Sequence, residues 1–282
     1  MPPVPSPAKT LPIAMFDSGV GGLTVLHECL VSLPHEDFVY LGDTARFPYG
    51  GREQDELREF ALELAGLLLD HGAKLLVVAC NSATAAALPQ LRDALAGRVN
   101  VVAVVEPESR LAAEVTQNGQ VGLLATPATV DSKAYERELA HAAPKATLHP
   151  IACPELAPMI QDGNEFDQRI VDAVEAYCEP LRGAGVDTVI LGCTHYPLVR
   201  PILQRALGRG VTIVSSGQAI ADAVHEKLTA ENIENDTGRR GRYSFLSTGD
   251  PEAFRAVGTR FLQMPLGKVR QVDVREPRQK AA

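Results

Sequence analysis

Two cysteines stand where chemistry is expected. Cys80 closes the run Gly72-Ala-Lys-Leu-Leu-Val-Val-Ala-Cys80-Asn81-Ser82, and Cys193 closes Gly185-Val-Asp-Thr-Val-Ile-Leu-Gly-Cys193-Thr194-His195. In both, a glycine stands eight residues before the cysteine and a small polar residue follows it directly. The apolar run in each reads as a buried strand, which puts each thiol at a strand's carboxyl end. A thiol repeated in two halves of a chain points to one site with a thiol on either side. Such a pair can take a proton from one face of a carbon and return one to the other, since an ordinary thiol pKa of ~8.5 makes both protonation states accessible near neutrality.

Other segments bring polar groups to similar junctions. Asp17-Ser18-Gly19-Val20-Gly21-Gly22-Leu23-Thr24 follows the first apolar run. Its glycines let backbone approach a ligand, and amides at a helix start favour an anion. Thr24 stands in the place of the last glycine of a dinucleotide fingerprint, so that reading fails. For the glycines alone a plain tight turn suffices, but a carboxylate at a strand end, Asp17, points to binding or proton transfer. The loop from Gly42 to Gly51 offers the Tyr49 ring and the Gly50 amide to a pocket, while Asp43 and Arg46 can pair with each other. Asn81 and Ser82 after Cys80, and Thr126 and Thr129 in the second half, can hold a carboxylate; such residues also cap helices routinely. A helix N-terminus beside Cys80 is expected to lower its pKa. His195 lies two residues beyond Cys193. A Cys–His hydrolase pair would need a third member that the chain does not supply convincingly. Cys29, Cys153 and Cys178 read as packing residues.

Positioning these residues requires alternating strands and helices. Strands are expected at Ile13–Phe16, Phe38–Leu41, Leu75–Ala79, Val99–Val105, Val121–Ala125, Thr147–Ile151, Thr188–Leu191 and Val211–Val214. Helices are expected at Leu23–Ser32, Arg52–His71, after the strand Leu75–Ala79 through Leu95, and at Ser132–Ala142, Phe166–Arg182 and Pro197–Leu207, with two more near Gln218–Leu228 and Pro251–Leu262. The spacing of Leu57, Ala61, Leu64 and Leu68 marks the buried stripe of the second helix, and Gly72 stops it. This alternation predicts α/β architecture, two pseudo-symmetric domains with mainly parallel sheets, and a site in the cleft between them, because ligands of open α/β sheets bind beyond the carboxyl ends of strands. The expected divisions are a disordered Pro-rich tail over 1–10, a first domain of 11–104 plus 216–272, a second of 105–215, and a disordered tail over 273–282.

Composition narrows the function. The formal charge of −8 argues against a nucleic-acid partner, which needs a basic face. The local cluster Gly238-Arg239-Arg240-Gly241-Arg242 reads as a solvated turn. No apolar run approaches the ~20 residues of a spanning helix, and no secretory signal opens the chain, so no membrane partner is expected. Five scattered cysteines without a Cys-x-x-Cys pair read as reduced thiols in a cytoplasmic protein, with no metal site.

Five segments in order carry a family resemblance: Phe-Asp-Ser-Gly-Val-Gly-Gly-Leu-Thr-Val, Gly-Asp-Thr-Ala-Arg-Phe-Pro-Tyr-Gly, Ala-Cys-Asn-Ser-Ala-Thr-Ala, Cys-Pro-Glu-Leu-Ala-Pro and Leu-Gly-Cys-Thr-His-Tyr-Pro-Leu. Through them the chain resembles the glutamate racemases over most of 12–250. Ser82 stands where many members have Thr, which keeps the hydroxyl. The resemblance implies cofactor-independent interconversion of L- and D-glutamate, supply of D-glutamate for peptidoglycan, and a homodimer. It implies that Cys80, assisted by Asp17, acts on D-glutamate, and that Cys193, assisted by His195 and Glu155, acts on L-glutamate. Ser18, Tyr49, Gly50, Asn81, Ser82, Thr126, Thr129 and Thr194 would hold the substrate together with Asp17 and His195. Two rival readings share these residues: a related racemase acting on aspartate or a hydantoin, and a non-catalytic amino-acid-binding module.

Overall fold

The computed structural model describes residues 7–163 and 167–274. Ten strands among the described residues pair in parallel throughout: β1 Ile13–Asp17, β2 Phe38–Gly42, β3 Leu75–Val78, β4 Asn100–Ala103, β5 Gln120–Ala125, β6 Thr147–Ala152, β7 Thr188–Gly192, β8 Thr212–Ser215, β9 Tyr243–Ser247 and β10 Val269–Gln271. They form two sheets, ordered β10-β9-β2-β1-β3-β4 and β6-β5-β7-β8. Without β9 and β10 the two orders coincide, which is the pseudo-symmetry expected from the paired cysteine runs. In the first sheet Met15 lies opposite Tyr40 and Val77; in the second Leu123 lies opposite Pro150 and Ile190.

Parallel sheets carry helices on both faces, so their central strands are apolar throughout rather than alternating. Every residue of β1, β3 and β7 is buried. Successive side chains of β1 go to opposite faces. Ile13 and Met15 join the core under the helix Leu23–Ser32, and Ala14 and Phe16 join the core under the helices Gln54–Asp70 and Asn81–Leu95. Pro150 is tolerated because β6 is an edge strand, where a missing N–H costs little. The matched glycines before the cysteines have a shared cause. Gly72 and Gly185 follow the helices Gln54–Asp70 and Gln168–Gly183 with φ of +75° and +67°, the left-handed conformation in which a chain leaves a helix to enter the next strand.

Several expectations are corrected. Of the tail expected over 1–10, Pro7–Thr10 forms one helical turn, and Lys9 pairs with Asp236 at 3.0 Å while its carbonyl accepts from Lys74 Nζ. Residues 1–6 and 275–282 lie outside the described residues, as does position 166 of an expected helix. The strand expected over Val99–Val105 stops at Ala103, and a helix, Val105–Val115, follows. A further helix, Leu156–Asp162, precedes Gln168–Gly183. The stretch expected as one helix over Pro197–Leu207 is a 3-10 turn, Tyr196–Val199, leading into Arg200–Leu207. Strands β9 and β10 extend the first sheet beyond β2. The arginine cluster is a solvent-exposed bend, as expected, that also clamps Asp37: Arg239 grips its carboxylate with two hydrogen bonds of 2.7 Å, and Arg242 adds its amide at 2.7 Å. These donors hold the Asp37 carboxyl down to about 2 although burial alone would raise it.

Candidate active site

In each sheet the strand order reverses between the first and third strands, at β1/β3 and at β5/β7, and crevices of this kind take ligands. Asp17 and Ser18 leave β1 beside Cys80 leaving β3. Thr126 leaves β5 beside Cys193 leaving β7. The two crevices open into one cleft of about 450 Å³, open solvent at its mouth included. Ser18, Tyr49, Gly50, Cys80, Asn81 and Ser82 line it from the first sheet. Thr126, Cys193, Thr194 and His195 line it from the second, with Pro154 and Ala157.

Cys80 is the N-cap of the helix Asn81–Leu95, its sulfur accepting from the Ala83 amide at 3.4 Å. The cap role expected of Asn81 or Ser82 therefore falls to the thiol, which frees both side chains. Ser82 Oγ meets Thr126 Oγ1 at 2.8 Å and Thr129 Oγ1 at 3.2 Å, a hydroxyl cluster joining the two sides. Asn81 Nδ2 donates to Tyr135 Oη at 2.7 Å and to Glu108 Oε2 at 3.1 Å, and its buried Oδ1 is without a protein partner among the described residues. Ser216 Oγ donates to the other Glu108 oxygen at 2.7 Å. Burial outweighs these donors and pushes the Glu108 carboxyl up to about 8.

Asp17 lies fully buried behind the cleft, accepting from the Gly19 amide at 3.1 Å and from Thr194 Oγ1 at 3.4 Å. Burial raises its carboxyl to about 6 against these amides and the hydroxyl. Gly21 is required where it stands: a Cβ there would lie 2.4 Å from both His195 Nδ1 and Thr194 Oγ1. Thr24 Oγ1 then bonds the Thr194 carbonyl at 3.0 Å. The glycine-rich turn thus works as a close-packed seat for the second half's Thr-His pair. The loop after β2 is anchored by Asp43, which accepts from Arg46 Nε at 2.7 Å, from Thr248 Oγ1 at 2.7 Å and from the Tyr49 hydroxyl. Asp43 and Arg46 pair as the sequence allowed, and Tyr49 and Gly50 face the cleft.

Both thiols are more basic than expected. The Ala83 amide lowers Cys80, but burial and then the nearby Asp17 charge push it up to about 12. Burial likewise drives Cys193 well above the ordinary thiol value, opposed by the His195 amide and reinforced by Asp17. The expected downward shift at a helix N-terminus is overturned because the Ala83 amide, with the Ser18 amide and hydroxyl, does not offset full desolvation. His195 moves the other way. Burial, helped by the positive charge of Arg260, takes it down to about 3, so the ring is a neutral imidazole at physiological pH. Its Nδ1 stands 3.9 Å from Cys193 Sγ.

Glu155 is set apart from the cleft. It is exposed at the start of the helix Leu156–Asp162 and is not among the cleft-lining residues, because that helix turns its buried face of Leu156, Ala157 and Ile160 inward. Sequence reasoning passed over Phe47, which stacks on His195 at 5.4 Å between ring centroids, and Gln161, whose Oε1 is 3.1 Å from His195 Nε2. Neither sits in a periodic pattern that would have marked it. Among the described residues no group of three or more His, Cys, Asp or Glu is placed to hold a metal ion, and no helix is long and apolar enough to cross a membrane. None of the five cysteines is in a disulfide.

A family model described as Asp/Glu/Hydantoin racemase matches residues 25–224. A glutamate racemase of Beutenbergia cavernae is 46% identical over 261 residues, 89% of each chain. The chain belongs to the Asp/Glu/hydantoin racemase family. Solved racemases share the fold. The Bacillus anthracis glutamate racemase matches with a TM-score of 0.89 and 35% identity, covering 95% of this chain and 99% of its own. The Francisella tularensis glutamate racemase, solved in complex with D-glutamate, matches with a TM-score of 0.87 and 29% identity over 95% and 98%.

Proposed function

We propose that this racemase interconverts L- and D-glutamate without a cofactor, Cys80 and Cys193 serving as the proton-transfer groups on opposite faces of the substrate. The observation that carries this reading is the placement of one thiol at the switch point of each of two equivalent sheets, both facing a single hydroxyl-lined cleft. The D-glutamate bound to the Francisella tularensis relative supports glutamate as the ligand. One cysteine, as thiolate, takes the Cα proton, and the C–H electron pair stays on carbon. The opposite thiol returns a proton to the other face and becomes the thiolate, so no electrons are gained or lost and no oxidant is needed.

The high thiol pKa values fit such a site. At a Cys80 pKa of about 12, forming the thiolate at pH 8 costs about 5 kcal/mol. A substrate ammonium ~4 Å away contributes ~4 kcal/mol of attraction at an effective dielectric near 20, so substrate itself makes the base available. The resulting desolvated thiolate is strongly basic, as removal of a weakly acidic Cα proton demands. On the other side the neutral His195 can accept from Cys193 through Nδ1. Ser82, Thr126 and Thr129 offer hydroxyls to a carboxylate, and Asn81 Oδ1, an acceptor, suits the ammonium.

We assign residues 11–104 with 216–272 to one domain and 105–215 to the other, a division supported by sheet membership. A cytoplasmic homodimer that supplies D-glutamate for peptidoglycan completes the proposal, on the strength of the family resemblance; sedimentation equilibrium tests the dimer. Activity is tested in D2O with each enantiomer of glutamate, without added cofactor. Deuterium at Cα and loss of optical rotation from both enantiomers are expected, and both are lost in Cys80→Ala and in Cys193→Ala. Sustained racemisation by either variant, or turnover of aspartate but not glutamate, overturns the reading.

A further inference from the structure

The His195 ring is held on several sides, and the groups beside its two nitrogens bear on which of them carries the proton. Phe47 stacks on one face with an interplanar angle of 29°, and Phe261 meets it edge-on at 5.0 Å and 73°. Gly21 lies against Nδ1 with no room for a methyl group. A neutral imidazole carries one N–H, and the partner of one nitrogen decides the role of the other. His195 Nε2 stands 3.1 Å from Gln161 Oε1, an oxygen that accepts and does not donate. With Gln161 Oε1 turned to Nε2, the single ring proton is drawn to that nitrogen, which leaves the Nδ1 lone pair toward Cys193 Sγ at 3.9 Å.

Gln161 itself is held from across the cleft. It lies in the last turn of the helix Leu156–Asp162, on the side of the second sheet. Arg260 projects from the helix Pro251–Leu262, which packs on Leu23–Ser32 and β9 of the first sheet. Its guanidinium donates to the carbonyls of Ile160 at 2.6 Å, Gln161 at 2.9 Å and Gly163 at 2.8 Å. These are the carbonyls a helix leaves without partners at its C-terminal end. One cation thus fixes the turn that carries Gln161.

We propose that Gln161 is a positioning residue which, held by Arg260, places the His195 proton on Nε2 so that Nδ1 accepts a hydrogen bond from the Cys193 thiol. The inference rests on Cys193 being one of the two acid/base groups. Gln161 is not among the cleft-lining residues, so its effect falls on kcat more than on KM.

The test is 15N NMR of histidine-labelled protein beside steady-state kinetics in both directions. In the wild type His195 shows a protonated, pyrrole-type Nε2 and an unprotonated, pyridine-type Nδ1. In Gln161→Leu, which removes the acceptor, this pattern gives way to a mixture of tautomers, and kcat falls about tenfold or more with KM nearly unchanged. Gln161→Glu keeps an acceptor and recovers both the pyrrole-type Nε2 and most of the rate. A protonated Nδ1 in the wild type overturns the inference. So does a Gln161→Leu protein with unaltered His195 signals and rate. The NMR signature is read without turnover, so an inactive wild type with the stated tautomer refutes the racemase reading and leaves the proton assignment standing.

Discussion

Gly21→Ala tests whether the glycine-rich turn is a seat for the second half rather than an ordinary turn. The added Cβ would stand 2.4 Å from His195 Nδ1, 2.4 Å from Thr194 Oγ1 and 2.5 Å from His195 Cε1. Ordinary carbon contacts begin near ~3.5 Å, so about 1 Å of separation is needed. The imidazole has little freedom to yield, lying between Phe47 and Phe261. Thr194 is tied through its carbonyl to Thr24 and through its hydroxyl to Asp17. The least costly relief is a displacement of the whole Thr-His segment. That breaks the 3.4 Å Thr194–Asp17 bond and the 3.9 Å approach of His195 to Cys193. Overpacking of this size costs about 1–3 kcal/mol of stability. A misplacement of about 1 Å at a reacting group lowers kcat about a hundredfold. Initial rates from both enantiomers, followed by circular dichroism, and a thermal melt on the same sample measure the two effects separately. A folded Gly21→Ala enzyme within twofold of wild-type kcat would show that close packing against His195 is not needed.

Three further outcomes follow from other positions. Gly66→Ala, on the exposed side of the helix Gln54–Asp70 with nothing within 4 Å of the new methyl, stabilises by about 1 kcal/mol; a midpoint that fails to rise by about 2 °C in a thermal melt contradicts this. Asp37→Asn removes a carboxylate whose folded pKa is depressed to about 2. Its stabilisation is fully present above the unfolded value of ~3.9 and is lost as pH falls through about 2. Urea titrations should show wild type and variant differing by about 1–2 kcal/mol at pH 6, after allowance for solvent screening, and converging near pH 2. Glu108 is the opposite case. Its folded pKa is raised to about 8, so its contribution is fully present below the unfolded value near ~4.3 and is lost as pH rises through about 8. Glu108→Gln should flatten the decline in denaturation midpoint between pH 5 and 8, and an unchanged slope would assign that decline to other groups.

The part of the fold legible in the sequence was the part dictated by burial. Central strands of a parallel sheet are apolar throughout, and the helices over them carry regular apolar stripes, so Leu23–Ser32 was bounded to the residue and the helix Pro251–Leu262 was placed correctly. Tyr243–Ser247 and Val269–Gln271 were missed because short strands near a sheet's margin mix polar and apolar residues and owe their form to a partner far away in the chain. Val105–Val115 was missed because its first residue continues the apolar run read as the strand Val99–Val105; Pro107 lies in the first turn, which a helix accepts. At the site, the thiols and the polar residues directly after the strands were identifiable because the chain order places them at strand ends. Gln161 and Arg260 were not, since their partners are set by how one sheet lies against the other. Thiol basicity was misjudged for a related reason: sequence shows the helix N-terminus that lowers a thiol, and burial, which outweighs it, comes from the completed cleft.

The strand order also has a consequence for how the chain is made. In the first sheet β2 is flanked by β1 on one side and β9 on the other. Strand β9, Tyr243–Ser247, leaves the ribosome only after the whole of β5 to β8. At ~5–20 residues per second that interval lasts roughly ten seconds or more. Throughout it the outer edge of β2 presents unpaired amides and carbonyls, the kind of edge that recruits strands from neighbouring chains. The second sheet, contiguous from 120 to 215, has every strand it needs in the same interval. The half encoded in the middle of the gene can therefore close first, while the half holding the N-terminus waits for its last strands with an adhesive edge exposed to every nascent copy on the same message.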